Sequence, residues 1–280
     1  MPNTYDLSGK TALLTGAGSV EHTEEFGQIE GIGSGIARVL VNSGCDLVFT
    51  YNRSEVGAKA LAEHLSKLAP DRNIVPVRFS AANYMEEASQ LAETAEEKLG
   101  KIDLLVNNLG TTYVTPSEIP HDEPAEEAEN LMRVNALASY ELSKRVLERM
   151  VAARVHGYLV NVTSCSLDMP HAKRPAYGIS KHAMHGMLGE FTSYYGQHNI
   201  KVVELQLGIF ETLMTLPRLG FYREASKKGA IPLGRLGLPE EVGQFVAFFL
   251  SGACDYLHGA QIRIDGGLTI RSFDNLLIDG

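Results

Sequence analysis

Two segments near the amino terminus indicate the fold most clearly. They are Thr11-Ala-Leu-Leu-Thr15-Gly16-Ala-Gly-Ser19 and Gly31-Ile32-Gly33-Ser-Gly-Ile36-Ala37. A short apolar run ends in a glycine turn, and the second part opens a helical pattern. This order of strand, glycine turn and helix brings backbone N–H groups toward the pyrophosphate of a dinucleotide. The candidate pyrophosphate-binding residues are therefore Gly16, Ser19, Gly31, Ile32 and Gly33.

Eleven residues, Val20–Glu30, separate the two parts, and we interpret them as an insertion in the glycine-rich loop. The glutamates of this segment would repel a pyrophosphate if they pointed inward, so we expect a solvated flap. A metal site built from His22 and these glutamates is disfavoured because their spacing matches no distinctive ligand pattern. We predict no metal.

The rest of the chain alternates short apolar runs with longer helical patterns, which is typical of a parallel sheet with crossover helices. We predict one doubly wound α/β domain of the Rossmann type over 1–280, with about seven parallel strands and helices on both faces. The predicted strands are Thr11–Thr15, Asp46–Tyr51, Ile74–Phe79, Ile102–Asn107, Tyr158–Thr163, Lys201–Leu207 and Gln261–Asp265. The predicted helices are Gly33–Asn42, Val56–Leu68, Met85–Leu99, Ala125–Ala153, Ala176–Gln197 and Glu240–Leu250.

Two further segments fall outside this alternation. Residues 209–236 follow the sixth predicted strand, where ligands bind in open α/β sheets. Their apolar side chains fit either a mobile lid over a substrate or a subunit interface, and the sequence favours neither. The tail 268–280 is longer than a minimal ending and is expected to reach a neighbouring subunit or its active site.

Composition excludes several classes of protein. The 280 residues carry a formal net charge of −9 without a run of Lys or Arg, which argues against nucleic-acid binding. Three widely spaced cysteines favour a reducing compartment without disulfides. No secretory signal and no apolar run of membrane-spanning length is evident, so we expect a cytoplasmic protein without membrane contact.

The candidate catalytic residues lie in Ser164-Cys-Ser-Leu-Asp-Met-Pro-His-Ala-Lys-Arg-Pro-Ala-Tyr177-Gly-Ile-Ser-Lys181. Tyr177 and Lys181 are four positions apart, so they share one helix face. A nearby ammonium lowers the pKa of a phenol from its ordinary value of about 10, which makes the phenol a better acid–base group at neutral pH. Ser164, from a neighbouring strand end, is positioned to hold a carbonyl oxygen against that phenol. The pair alone occurs by chance in many helices, so this hypothesis depends on the rest of the chain.

The cofactor preference is predicted from the end of the second strand, Thr50-Tyr-Asn-Arg53-Ser54. An acidic residue at this point usually binds the ribose hydroxyl of NAD, whereas an arginine accommodates the additional phosphate of NADP. No carboxylate is present, and the guanidinium of Arg53 binds phosphate oxygens well. NADP(H) is therefore favoured over NAD(H), with a solvated loop charge as the alternative role for Arg53.

Taken together, these motifs resemble the short-chain dehydrogenase/reductase family over nearly the whole chain. Besides the glycines and Ser164, Tyr177 and Lys181, further motifs occur in the order typical of that family. They are Asn107-Asn108-Leu-Gly110, Asn135, Leu207-Gly208-Ile-Phe210-Glu-Thr212 and Ile264-Asp265-Gly266-Gly267. The resemblance implies a homotetramer or homodimer whose long helices pack across subunits.

The resemblance also implies roles for individual residues. Tyr177 would be the general acid/base, Lys181 would bind the nicotinamide ribose, and Ser164 would orient the substrate carbonyl. Asn135 would hold a water that relays protons to Lys181. Asn108 and Gly110 would line the cofactor site, and Phe210 and Thr212 would contact the nicotinamide carboxamide.

Two hypotheses from different classes follow. The first is an NADP(H)-dependent oxidoreductase that interconverts a carbonyl and a secondary alcohol on a small, largely apolar substrate, and 3-oxoacyl reductases are its nearest neighbours in type. Enoyl reductases fit less well because they space the Tyr and the Lys more widely. The alternative is a catalytically weak or inactive relative that senses nucleotides or acts as a scaffold.

Overall fold

The computed structural model describes residues 5–116, 119 and 121–270. Its centre is a seven-stranded sheet of β1 (Thr11–Leu14), β4 (Asp46–Tyr51), β5 (Ile74–Arg78), β6 (Leu104–Asn107), β7 (Gly157–Ser164), β8 (Ile200–Leu207) and β9 (Ala260–Ile264). The strands lie in the order β5-β4-β1-β6-β7-β8-β9, and every pair of neighbours is parallel. The strand order reverses direction between β1 and β6, which is where open α/β sheets bind nucleotides. The predicted seven-stranded parallel sheet is confirmed.

Helices cover both faces of the sheet because its strands are apolar on both sides. They are α1 (Ile32–Asn42), α2 (Glu55–Leu68), α3 (Tyr84–Leu99), α4 (Ala125–Met132), α5 (Ala138–Ala152), α6 (Pro175–Tyr195), α7 (Leu219–Ala225) and α8 (Pro239–Leu250). Neighbouring residues of β1 face opposite cores. Leu14 packs in the cluster beneath α1, α2 and α8, and Leu13 packs in the cluster beneath α3, α5 and α6.

The segment between the two glycine groups forms a small antiparallel hairpin of β2 (Val20–Thr23) and β3 (Gly27–Glu30). Its ends meet, since the backbone N–H of Gly31 donates to the carbonyl of Ser19 at 3.2 Å. The expectation of a solvated flap is only partly right. The side chain of Ile29 is buried, and it packs with Leu219, Ile231 and Leu236 from the connection after β8.

That connection, residues 209–236, is tied at its base and carries α7. The backbone N–H of Gly237 donates to the carbonyl of Ile209, and the N–H of Glu211 donates to the carbonyl of Gly237. Arg223 of α7 forms a two-pronged ion pair with Glu211 at 2.8 and 2.9 Å, and its guanidinium lies 5.1 Å from the ring centroid of Phe26. The hairpin and the connection therefore pack as one roof above the carboxyl ends of the strands.

The helix predicted over Ala125–Ala153 is interrupted. A π-helical turn at Arg133–Leu137 separates α4 from α5, and Asn135 lies within it. Turns of this kind are rare and occur frequently at functional sites. The sequence predicts one helix here because its helical apolar pattern continues through the turn.

The tail predicted at 268–280 is described only as far as Ile270, and residues 271–280 lie outside the described part. Leu268 packs against the cluster formed by the hairpin and the 209–236 connection. No helix in the described ranges is long and apolar enough to cross a membrane.

Candidate active site

The glycine turn after β1 lies against the start of α1 with no room for side chains. A Cβ on Gly33 would lie 2.1 Å from the carbonyl oxygen of Gly16, and Gly16 itself has a positive φ of 75°. Asn108 holds the turn from the far side, donating from its amide nitrogen to the carbonyls of Thr15 at 2.9 Å and Gly16 at 2.8 Å. The turn is thereby fixed as a backbone-lined cradle.

Helix α1 opens beside this cradle. Its N-cap is Gly31, which offers no side chain to the first N–H groups of the helix, and no acidic residue occupies the first turn. Free N–H groups at a helix N-terminus favour an anion such as a pyrophosphate. Ser19 is exposed at the end of the turn, and Ile32 begins the helix. The cradle and the uncapped helix fit the dinucleotide that the sequence predicts.

Glu30, the last residue of the hairpin before the second glycine group, forms an ion pair with a neighbouring cation. Arg38 of α1 forms ion pairs with both Glu30 and Glu240. The Nη1 group of its guanidinium also donates a hydrogen bond of 2.7 Å to Oε2 of Glu30. The hydrogen bond to Glu30 raises the pKa of Arg38, against the opposing effect of burial. Glu30 is thus tied to α1 and α8 and is not a free charge on a flap.

The predicted catalytic residues meet at the carboxyl end of the sheet. Ser164 is the last residue of β7, and Tyr177 and Lys181 lie one turn apart on α6. The Ser164 side chain acts to lower the pKa of the Tyr177 phenol, and its hydroxyl accepts the backbone N–H of Ser166 at 3.2 Å. The ammonium of Lys181 lies 6.0 Å from the Tyr177 ring centroid and donates to the carbonyl of Val162 at 3.0 Å.

Asn135 connects the π-helical turn to this cluster. Its amide exchanges hydrogen bonds with the backbone of Thr111, at 2.8 and 3.0 Å, and donates to the hydroxyl of Ser180 at 2.9 Å. A Cβ at Gly110 would lie 3.5 Å from both the Asn135 oxygen and the Lys181 nitrogen. Gly110 therefore marks the point where the residues after β6, the π-helical turn and α6 converge.

The electrostatics differ from the expectation of a low phenol pKa. Burial raises the pKa of Tyr177, and the hydrogen bond from Ser164 and the charge of Arg174 only partly oppose it. Burial disfavours the charged form of Lys181 in the same way, and it lowers the pKa of this lysine to about 8. The negative charge of Glu204 opposes that shift. The sequence argument considered the neighbouring cation but not the loss of water around both groups, and burial is the larger effect here.

Glu204 is a residue that the sequence reasoning missed. It is fully buried in β8 and accepts hydrogen bonds from Thr163 at 2.9 Å and Gln261 at 3.1 Å. Its second oxygen lies 2.8 Å from a ring nitrogen of His185 on α6. The available signal was one acidic residue in the middle of a largely apolar strand, because a buried carboxylate is costly unless it is paired.

The remaining predicted cofactor residues lie at the same edge of the sheet. Arg53 is exposed just beyond the end of β4, two residues after Tyr51, and the residue paired with Tyr51 on β5 is a second exposed arginine, Arg78. Phe210 and Thr212 are buried in the turn after β8, where the Thr215 hydroxyl donates to the Phe210 carbonyl at 2.6 Å. Within the described residues, no three His, Cys, Asp or Glu side chains come together as a metal site would require.

The fold and this cluster define a nucleotide-binding α/β protein with a Ser, Tyr and Lys site. Comparison with known proteins makes the class specific. A family model described as enoyl-(acyl carrier protein) reductase matches residues 27–269. The chain belongs to the short-chain dehydrogenase/reductase family.

Its relatives are dehydrogenases and reductases that match it almost end to end. The 2-dehydro-3-deoxy-D-gluconate 5-dehydrogenase of Bacillus subtilis is 29% identical over 95% of this chain and 96% of the relative. A 3-oxoacyl-[acyl-carrier protein] reductase structure from Brucella melitensis, in complex with NAD, has 27% identity and a TM-score of 0.84, covering 94% of this chain and 98% of that one. A short-chain type dehydrogenase/reductase from Mycobacterium marinum has 25% identity and a TM-score of 0.82, with 95% and 98% covered.

Proposed function

We propose that this protein is an oxidoreductase that transfers hydride between NADP(H) and a carbonyl or secondary alcohol, with Tyr177 as the general acid/base. The observation that carries the proposal is the convergence of Ser164, Tyr177, Lys181 and Asn135 at the sheet edge that also holds the glycine cradle. The named relatives, a sugar-acid dehydrogenase and a 3-oxoacyl reductase, support interconversion of C–OH and C=O. The four-residue spacing of Tyr177 and Lys181 favours this chemistry over enoyl reduction.

The protein's own residues perform the proton chemistry. The Ser164 hydroxyl donates to the substrate carbonyl oxygen and holds it beside the phenol. Because burial raises the pKa of Tyr177, the phenol is protonated at neutral pH and serves as the proton donor for reduction. The ammonium of Lys181 then stabilises the phenolate that remains, and Asn135 lies where a proton relay toward Lys181 would begin. The nicotinamide, when bound, supplies or accepts the hydride, which no side chain can do.

Substitution of the phenol tests the catalytic proposal. Tyr177→Phe keeps the ring but removes the transferable proton, and we expect turnover of a carbonyl panel to fall by about 100-fold or more. Tyr256→Phe is the matched control because its side chain is 99% exposed. Wild-type turnover that survives Tyr177→Phe would refute the role of the phenol. A wild type that binds nucleotide yet turns over no carbonyl or alcohol would favour the nucleotide-sensing alternative.

The preference for NADP(H) rests on Arg53 and on the absence of a carboxylate at the end of β4. Titration of the reduced cofactors, followed by nicotinamide fluorescence, should show tighter binding of NADPH than of NADH. Arg53→Ala should weaken NADPH binding by about 10-fold through loss of a charge-assisted contact, and NADH binding much less. Arg154→Ala, an exposed arginine after α5, is the control. Equal affinities for the two cofactors in the wild type would refute the preference.

We further propose a cytoplasmic homotetramer or homodimer that assembles through α4, α5 and α6. An apolar groove between α4 and α6 includes Met132, Leu137, Ala176 and Ile179, and the side chain of Ile179 is 61% exposed. Light scattering on the purified protein tests the assembly, and a monomer at micromolar concentration would contradict it. Ile179→Glu should then dissociate the assembly, whereas Val56→Glu on exposed α2 should not.

A further inference from the structure

A partly buried guanidinium lies beside the catalytic phenol and forms no ion pair with any acidic side chain that the structure describes. Arg174 precedes α6, and its guanidinium carbon is 6.0 Å from the ring centroid of Tyr177. In the described ranges it forms no ion pair. The carboxylate of Glu123, close in the fold, instead accepts the backbone N–H of Ala176 at 2.8 Å. Partly buried charges are ordinarily paired within a protein, so this cation is available to a ligand.

A second cation, the exposed side chain of Arg218, lies on the 209–236 connection that packs above the carboxyl ends of the strands. Arg218 precedes α7, and its guanidinium carbon lies 4.6 Å from the Phe221 ring centroid and 5.7 Å from that of Tyr222. Stacking on these rings holds the guanidinium in place without neutralising it. Like Arg174, it forms no ion pair with a described acidic side chain.

The two arginines belong to one positive region. His171, in the loop before α6, has its pKa lowered first by burial and then by the charges of Arg174 and Arg218. Both guanidinium groups therefore act on the same imidazole. This region contrasts with the chain as a whole, whose net charge is −9 and which would otherwise repel an anion.

We propose that the substrate carries an oxyanion, a carboxylate or a phosphate, next to its reactive carbonyl or alcohol, and that Arg174 and Arg218 bind this group. The planar guanidinium matches both kinds of oxyanion with two parallel hydrogen bonds. The inference rests on the proposed function, since it assigns a substrate class to the same site. It also replaces the sequence-based expectation of a largely apolar substrate, because such a substrate leaves the partly buried cation beside the phenol without a partner.

The test uses matched pairs of carbonyl compounds that differ only in charge. One series pairs oxo acids, such as 4-oxopentanoate, with their methyl esters, and the other pairs dihydroxyacetone phosphate with dihydroxyacetone. For the series that fits the site, kcat/KM of the charged member should exceed that of the neutral member by about 10- to 100-fold, the range of a charge-assisted hydrogen bond. The two series distinguish a carboxylate from a phosphate.

Variants connect that preference to the two arginines. Arg174→Gln and Arg218→Gln should each lower the charged-to-neutral ratio of kcat/KM by about 10-fold, and Arg174→Lys should restore part of it. Arg154→Gln removes an equal charge at an exposed site after α5 and should leave the ratio unchanged.

The possible outcomes separate the two proposals. Neutral members turned over as well as, or better than, charged members would overturn the oxyanion inference while leaving the proposed function intact. A preference for charged members that survives both glutamine variants would also overturn it. Failure to turn over any member would contradict the proposed function, and the inference would fail with it.

Discussion

Burial of Lys181, a residue of the proposed catalytic site, should lower the stability of the folded protein by a measurable amount. Its pKa falls from the ordinary 10.5 to about 8 in the folded protein. At roughly 1.4 kcal/mol per pKa unit, the folded state binds the lysine proton less favourably by about 3 kcal/mol. Lys181→Met removes the charge and keeps an unbranched side chain. It also removes the hydrogen bond to the Val162 carbonyl, which is worth about 1 kcal/mol.

The variant should therefore be inactive but more stable than the wild type by about 2 kcal/mol at pH 7, or about 4–8 °C in Tm. The sign follows from the direction of the shift. Because the folded pKa is below the unfolded one, the cost of burial is fully present below about pH 8 and disappears as the pH rises toward 10.5. The advantage of the variant should thus shrink to nearly zero at about pH 10.

Urea unfolding at a series of pH values measures this difference. Far-ultraviolet circular dichroism is the suitable signal because the chain contains no tryptophan. Lys67→Met, at a lysine of α2 whose side chain is 75% exposed, is the control and should show no such dependence on pH. A Lys181→Met protein that is less stable than the wild type at pH 7, or a difference that stays constant from pH 7 to 10, would refute the reasoning.

Two further predictions concern the hairpin roof and the buried carboxylate. Ile29→Ala should destabilise the packing of the hairpin on the 209–236 connection by about 2 kcal/mol or more, Ile29→Val by less, and Val20→Ala, at a 45% exposed site, by under about 0.5 kcal/mol. Limited proteolysis of the roof should follow that order, and equal rates for the alanine variants would show that Ile29 does not hold the two segments together. Glu204→Gln removes the charge that opposes the fall in the Lys181 pKa, so the alkaline limb of the kcat/KM pH profile should move to lower pH. Glu190→Gln, on the exposed face of α6, should leave the profile in place, and an unchanged profile in Glu204→Gln would contradict the coupling.

Much of the candidate site is encoded locally, which is why the sequence predicts it. Tyr177 and Lys181 meet because helix geometry brings residues four apart to one face. Gly16 and Gly33 are required because the turn after β1 and the start of α1 approach each other closely, and the spacing of the glycines in the sequence predicts this approach. Glu204 and Arg174 are different, because their significance depends on neighbours from other elements. His185 and Gln261 approach Glu204 only in the folded sheet, and the charges of Arg174 and Arg218 act together on His171 only once the chain is folded.

The parallel α/β fold, the glycine cradle and the order of the candidate catalytic residues can be predicted from the amino-acid sequence, because strand and helix periods and short spacings are local properties of the chain. Three other features depend on how distant segments pack together. Val20–Glu30 became part of a roof, since the surface that buries Ile29 comes from residues nearly two hundred positions away. Tyr177 gained a raised pKa, since burial depends on everything packed around the phenol. Arg174 came to lie beside the Tyr177 ring without an ion pair among the described residues, since the distribution of charge in space is set by the fold and not by the composition.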